Sequence, residues 1–234
     1  MPEWTLVTGA NRGLGLEFVR QRLAAGAPVV ATCRQPGRAT ALNALAGEHP
    51  GHLKVLPLDA IDPRSRAELV RELPLAIGKG GRIDLLVNNA GVLHGGERFG
   101  HLDGDTLEHS LRTNAVAPLL LTQALAPWLA GGARVANLSS QLGSIAGTTR
   151  FGTPSYAISK AALNMATVQL AHALRERGVV VVALHPGWVR TNMGGGQASE
   201  APDESVAGLL RVIDGLSASD SGQFLDWTGA RLPW

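Results

Sequence analysis

The chain has 234 residues, 45% hydrophobic and 17% charged, enough apolar material for one large α/β core or two small ones. Its 21 basic and 19 acidic side chains leave a formal charge of only +2, and no Lys/Arg block with interleaved aromatics occurs, which speaks against nucleic-acid binding. Cys33 is the single cysteine, so neither an intramolecular disulfide nor a cysteine-rich metal site is available, as suits a reducing compartment.

Residues 4–8 read as a short apolar strand, reached without a charged-then-apolar leader. Thr8-Gly9-Ala10-Asn11-Arg12-Gly13-Leu14-Gly15 follows, then an amphipathic helix to about Ala25 that Gly26 stops. Residues 29–33 form the next buried strand. Strand, glycine turn, helix and strand make a βαβ unit with a parallel, right-handed crossover. Glycines let a backbone approach a pyrophosphate closely, and the helix behind them offers free N–H groups to the anion. Gly9, Asn11, Arg12, Gly13, Leu14 and Gly15 are therefore candidate cofactor contacts, against the plainer reading of an ordinary glycine-rich turn. An acid at the end of the second strand would accept from a ribose 2′-OH, whereas an arginine accommodates a 2′-phosphate. Here Cys33 and Arg34 stand with no acid, and Arg12 lies within reach, which favours NADP(H) over solvated surface arginines. Arg38 is a weaker third cation.

Residues 39–47 are a small-residue helix or turn, and 53–58 a third strand ending at Asp59-Ala60. That pair is placed for an adenine edge, although Asp59 could equally cap the helix that starts near Pro63. This helix runs to about Ile77, with Pro74 able to bend it. Residues 83–88 are a fourth strand, leading into Asn89, Ala90 and Gly91, small enough to let a nucleotide lie close. The polar loop 92–105 borders the expected substrate cleft. A long helix then runs from about Thr106 to Leu129. Pro118 inside it has no N–H, so the carbonyl of Asn114 loses its helical partner and can hold a water that reaches Lys160; the plainer reading is a kink without chemistry. The apolar run 115–130 is broken by Pro118, Gln123 and Pro127 and reads as a buried helix, not a membrane span.

Residues 133–138 are a buried strand with Ser139 and Ser140 at its exit. From Pro154 a helix runs to about Glu176, which puts Tyr156 and Lys160 at i and i+4 on one face. A phenol with an ordinary pKa near ~10 is a poor proton donor and acceptor at neutral pH, and a neighbouring ammonium lowers it. The pair reads as a tuned general acid/base, with a serine hydroxyl to hold a carbonyl oxygen. Tyr-x-x-x-Lys is common in helices with no chemistry, but Tyr156 is the only tyrosine present. Residues 179–185 form a β-branched strand that turns at Pro186-Gly187, followed by Val189 and by Thr191, placed to bond a carboxamide. Residues 192–203 have no period and read as a mobile lid. A helix over 204–216 and a strand over 222–225 close the chain. Alternating strands and helices with no linker indicate one doubly wound α/β domain over 1–234, with ligands at the strand C-termini.

Together these motifs resemble the short-chain dehydrogenase/reductase family over nearly the full chain, on Thr8-Gly-x-x-x-Gly-x-Gly15, Asn88-Asn-Ala-Gly91, Asn114, Ser139-Ser140, Tyr156-x-x-x-Lys160 and Pro186-Gly187 with Thr191. The subgroup it is most similar to holds small NADP-dependent carbonyl reductases and C-factor-like developmental proteins. The resemblance implies a Rossmann-type three-layer sandwich with a parallel sheet of about seven strands. It implies an Asn114–Ser140–Tyr156–Lys160 tetrad, with Tyr156, Lys160, Pro186, Gly187, Val189 and Thr191 also touching the cofactor. It implies hydride transfer between NADP(H) and a small carbonyl or alcohol, with no metal. The interval from Ser140 to Tyr156 is longer than the family's commonest, so loop 144–152, with Arg150, is expected to shape the pocket. A second reading is a cofactor-binding signalling protein in which catalysis is secondary. The loop residues favour a neutral aldehyde, ketone or quinone. The chain is read as cytoplasmic, with no membrane or nucleic-acid partner. Helices 106–129 and 154–176 are the faces through which a homo-oligomer would form.

Overall fold

The structure, a computed structural model, describes residues 3–234; Met1 and Pro2, on which the expected lack of a leader partly rests, lie outside the described residues. The strands are β1 (Glu3–Thr8), β2 (Val29–Cys33), β3 (Leu53–Pro57), β4 (Arg82–Asn88), β5 (Leu129–Leu138), β6 (Val180–His185) and β7 (Phe224–Asp226). The helices are α1 (Gly13–Ala24), α2 (Thr40–Glu48), α3 (Pro63–Ile77), α4 (Gly104–Leu111), α5 (Ala117–Leu125), α6 (Pro154–Ala173) and α7 (Pro202–Asp214). All paired strands run parallel, in a 7-stranded sheet of order β3-β2-β1-β4-β5-β6-β7. The order reverses between β1 and β4, and a doubly wound sheet opens its ligand crevice at such a point.

Successive side chains on a strand face opposite sides, so each central strand feeds two cores. Val7, Val87, Val182 and Leu184 meet Phe18 and Val19 of α1, Leu42 of α2 and Leu209 of α7 on one face. Leu6, Leu86 and Val181 meet Leu73 of α3, Leu125 of α5 and Leu170 of α6 on the other. Helix, sheet and helix thus make three layers. No helix among the described residues is long and apolar enough to cross a membrane.

Three element boundaries differ from those expected. The long helix over 106–129 is α4, a π turn over Arg112–Val116 and α5, because Pro118 cannot donate and the Ala117 amide reaches back five residues to the Arg112 carbonyl. β5 begins at Leu129, not near 133: Ile83 pairs with Leu129 and Leu85 with Arg134, so the intervening residues bulge out, with Gly132 at φ 78°. Asp62, not Asp59, caps α3, accepting from the amides of Arg64 and Ser65.

Candidate active site

A cavity of about 640 Å³ runs along the C-terminal edge of the sheet. Its wall takes residues from the exit of every strand from β1 to β6, among them Thr8, Cys33, Asp59, Asn89, Leu138 and Pro186.

At the β1 exit the glycine turn is held rigidly to β4. Thr8 Oγ1 accepts from the amides of Asn89 and Ala90, both at 3.0 Å, and Asn89 Nδ2 donates to the carbonyls of Thr8 and Gly9 at 2.8 and 3.2 Å. Gly9 has φ 63°, and a Cβ there would lie 2.9 Å from Ala90 Cα. A Cβ on Gly15 would lie 2.5 Å from the Gly9 carbonyl oxygen. Gly9 therefore permits the turn, and Gly15 lets α1 approach it. Arg12 precedes α1 without capping it, so the first-turn amides have no side-chain acceptor and the positive end of the helix faces the cavity. Those features fit a pyrophosphate. Arg12 and Arg34 line the same end, with Asp59 the one carboxylate on the wall, which suits a 2′-phosphate.

The other end is built on α6. Tyr156, Lys160 and Ser140 are all buried. Ser139 and Ser140 divide their work. Ser139 Oγ donates to Asn164 Oδ1 at 2.6 Å, which turns it away, whereas Ser140 accepts from the Leu142 amide at 3.2 Å and hydrogen-bonds the Tyr156 hydroxyl. Lys160 Nζ lies 5.4 Å from the Tyr156 ring centroid and donates to the Leu138 carbonyl at 2.6 Å. Burial pushes the phenol up to about 12, opposed by the Ser140 hydrogen bond, and brings Lys160 down to about 8. The expected lowering of the phenol by the ammonium is not seen in the polypeptide by itself. Lys160 spends its charge on a carbonyl beside the ring, and desolvation dominates.

Asn114 acts through its side chain as well as its position. Oδ1 accepts from the Val92 amide at 2.8 Å, while Nδ2 donates to the Val92 carbonyl at 2.8 Å and to Ser159 Oγ at 2.9 Å. Ser159 in turn donates to the Tyr156 carbonyl at 2.7 Å. Asn114 thus ties the loop after β4 to the helix that carries Tyr156.

Of the expected contacts, Gly9, Asn11, Arg12, Gly13, Leu14, Arg34, Asp59, Ala60, Asn89, Ala90, Gly91, Tyr156, Lys160, Pro186 and Thr191 line the cavity. Gly15, Gly187, Val189, Asn114 and Ser140 do not line it, whereas Ser139, whose hydroxyl is taken by Asn164, does. Gly187 (φ 84°) turns the chain, and Val189 is buried and bridges to Glu200. Loop 192–201 is laced to its own stem, with Glu200 N donating to the Trp188 carbonyl and Arg190 N to that of Glu200, both at 3.0 Å. Arg150 is exposed and off the cavity wall; its loop instead sets Phe151 edge-on to Phe99 at 5.9 Å. The Ala146 amide of that loop donates to the Trp234 carbonyl at 2.8 Å, and Trp234 stacks on Phe224. Sequence reasoning missed His94, His109, Thr113 and Met193, which also line the cavity. The available signals were that His94 lies in the loop expected to border the cleft and Met193 in the stretch read as a lid.

The sequence profile of the short chain dehydrogenase family matches residues 3–202. The chain belongs to that family. Among solved structures, this short-chain dehydrogenase is similar to the NADPH-bound carbonyl reductase from chicken fatty liver (40% identity, TM-score 0.94, covering 100% of this chain and 99% of that one). It is also similar to the carbonyl reductase Sniffer of D. melanogaster (32% identity, TM-score 0.94, covering 100% of both chains). Among curated proteins, C-signal of Myxococcus xanthus is 46% identical over 156 residues, 66% of this chain and 94% of the relative.

Proposed function

We propose that this short-chain dehydrogenase is an NADPH-dependent carbonyl reductase that reduces aldehydes or ketones and, in reverse, oxidises the alcohols. The observation that carries this is the pair of buried side chains Tyr156 and Lys160 on the wall of a cavity that also takes the glycine turn, Arg12 and Arg34, with buried Ser140 at the Tyr156 hydroxyl. The carbonyl reductases to which it is similar, one of them NADPH-bound, support the same reading.

A bound dinucleotide would supply the hydride for the carbonyl carbon. Tyr156 gives its hydroxyl proton to the carbonyl oxygen as negative charge builds there. A phenol held up at about 12 keeps its proton at neutral pH but is a weaker acid than a free phenol, so the transfer relies on positive charge brought beside it by Lys160 and by the bound cofactor. Ser140 holds the same oxygen and keeps the tyrosine hydroxyl in line. Lys160, fixed by the Leu138 carbonyl, would hold the nicotinamide ribose and bring positive charge beside the phenolate left after transfer. Asn114 fixes the Val92 loop and α6 against each other.

A cofactor-binding signalling role in which catalysis is secondary is not favoured. Tyr156, Ser140 and Lys160 are all present and buried, and a protein that only bound a dinucleotide would have no use for all three. The buried free Cys33 supports a cytoplasmic location. Exposed Val116, Ile158 and Met165 on the helices expected to pair support a homo-oligomer.

Tyr156→Phe tests the proposal. Turnover of a carbonyl substrate should fall by at least about 100-fold, the usual contribution of a general acid, while NADPH binding, followed by fluorescence titration, is unchanged. Turnover equal to that of the unmodified enzyme would refute it.

A further inference from the structure

Beyond Tyr156 the cavity wall turns polar in a way that hydride transfer to a simple carbonyl does not require. His94, on the loop after β4, places Nε2 3.1 Å from Nδ1 of His109 on α4. The rings tilt at 57° with centroids 5.2 Å apart, and both line the cavity. Thr113, four residues on from His109, lines it too, and its Oγ1 is buried without a hydrogen-bond partner.

Among the described residues, acidic groups are absent from this end of the wall, since the one carboxylate on it, Asp59, follows β3 on the far side of β1. The acids on the two elements that carry the histidines are engaged or outward. Glu97 accepts from the amide and hydroxyl of Ser155, Asp103 caps α4 through Thr106, and Asp105 and Glu108 are exposed. Arg98 and His101 on the loop, and Arg112 at the start of the π turn, are exposed as well.

In an N–H···N couple one ring donates and the other accepts, which leaves one outward N–H and one outward lone pair. A carboxylate takes the N–H as a charge-assisted hydrogen bond. A neutral, apolar substrate tail would strip water from these groups and return nothing. Resting on the reductase reading, we infer that the His94–His109 couple is a specificity element that binds a carboxylate remote from the reacting carbonyl. The preferred substrate class is an aldehyde or ketone that carries an acid group, not the neutral carbonyl that loop composition favours.

Rates of NADPH oxidation with 4-carboxybenzaldehyde and 4-carbamoylbenzaldehyde compare an anionic and a neutral substrate of one shape. Between the unmodified enzyme and the His94→Gln/His109→Gln double variant, intrinsic reactivity cancels. The ratio of kcat/KM, acid over amide, should fall about tenfold in the variant, the size of one charge-assisted hydrogen bond, through the KM of the acid. An unchanged ratio, or equal loss on both substrates, overturns the inference. Calorimetric titration of the NADPH complex with benzoate and benzamide reads the same couple without turnover. Benzoate preferred by the unmodified protein alone supports the couple even if neither aldehyde is reduced, a failure that would fall on the reductase reading instead. Lack of any benzoate preference overturns it.

Discussion

Replacing Lys160 with methionine removes a buried ammonium and keeps most of its apolar stem. Lys160 is 5% exposed, and burial takes its pKa from 10.5 to about 8. A depression of that size means that the charged form costs the folded state about 3 kcal/mol. Against this, the Leu138 carbonyl loses its donor at 2.6 Å, worth about 1 kcal/mol. Lys160→Met should therefore be more stable at pH 7 by about 2 kcal/mol, or roughly 5 °C in Tm for a chain of this length. The sign with pH follows from the depressed folded-state value. Between about 8 and 10.5 the unfolded chain keeps the proton that the folded protein has lost. The unmodified protein thus gains stability as pH rises through that window, and its full penalty lies below it. The gap between the two proteins should be widest at pH 7 and narrow by pH 9.5. Tyr156 is raised in its folded state and titrates mainly above this range, in both proteins alike. Urea unfolding followed by tryptophan fluorescence, without cofactor, measures both points, and reductase assays should show the variant inactive. A variant less stable than the parent at pH 7, or a gap of equal size at both pH values, would show that Lys160 is not held against desolvation.

Ser140→Ala removes the partner of the Tyr156 hydroxyl and the acceptor for the Leu142 amide. Steady-state kinetics should show kcat lower by about 100-fold, with stability lower by only about 1 kcal/mol; an intact kcat would exclude Ser140 from oxygen binding. Arg34→Asp should weaken NADPH binding by more than about tenfold and leave NADH binding the same or tighter. Binding titrations that find NADH preferred by the unmodified protein would contradict the reading of Arg12 and Arg34. Gly15→Ala places a methyl group 2.5 Å from the Gly9 carbonyl oxygen and against Asn89. It should cost about 2 kcal/mol in thermal melts and abolish cofactor binding; a variant as stable as the parent would disprove the close approach of α1 to the turn.

Much was legible in the chain because the signal was local. The strand–glycine turn–helix start, the β-branched runs and the i, i+4 pairing of Tyr156 with Lys160 each lie within a few residues, and backbone geometry fixes what those spacings mean. Alternating strands and helices gave the parallel sheet for the same reason. Other features depend on partners far away in sequence. That Ser139 turns away rests on Asn164, and the clamp of Asn114 on Val92 and Ser159 joins three separate segments. Asp62 displaced Asp59 as the cap of α3, and the π turn displaced the single long helix, since each end and kink settles where its amides find acceptors. The His94–His109 couple exists only because the loop after β4 folds onto α4. The direction of the Tyr156 shift also reversed, since sequence spacing brings the ammonium near but says nothing of how much water is removed. Order along the chain therefore determined the elements and the chemistry on offer. Tertiary packing decided burial and long-range partners, and with them the charge state of each group, because desolvation is set by everything that surrounds a side chain and not by its neighbours in sequence.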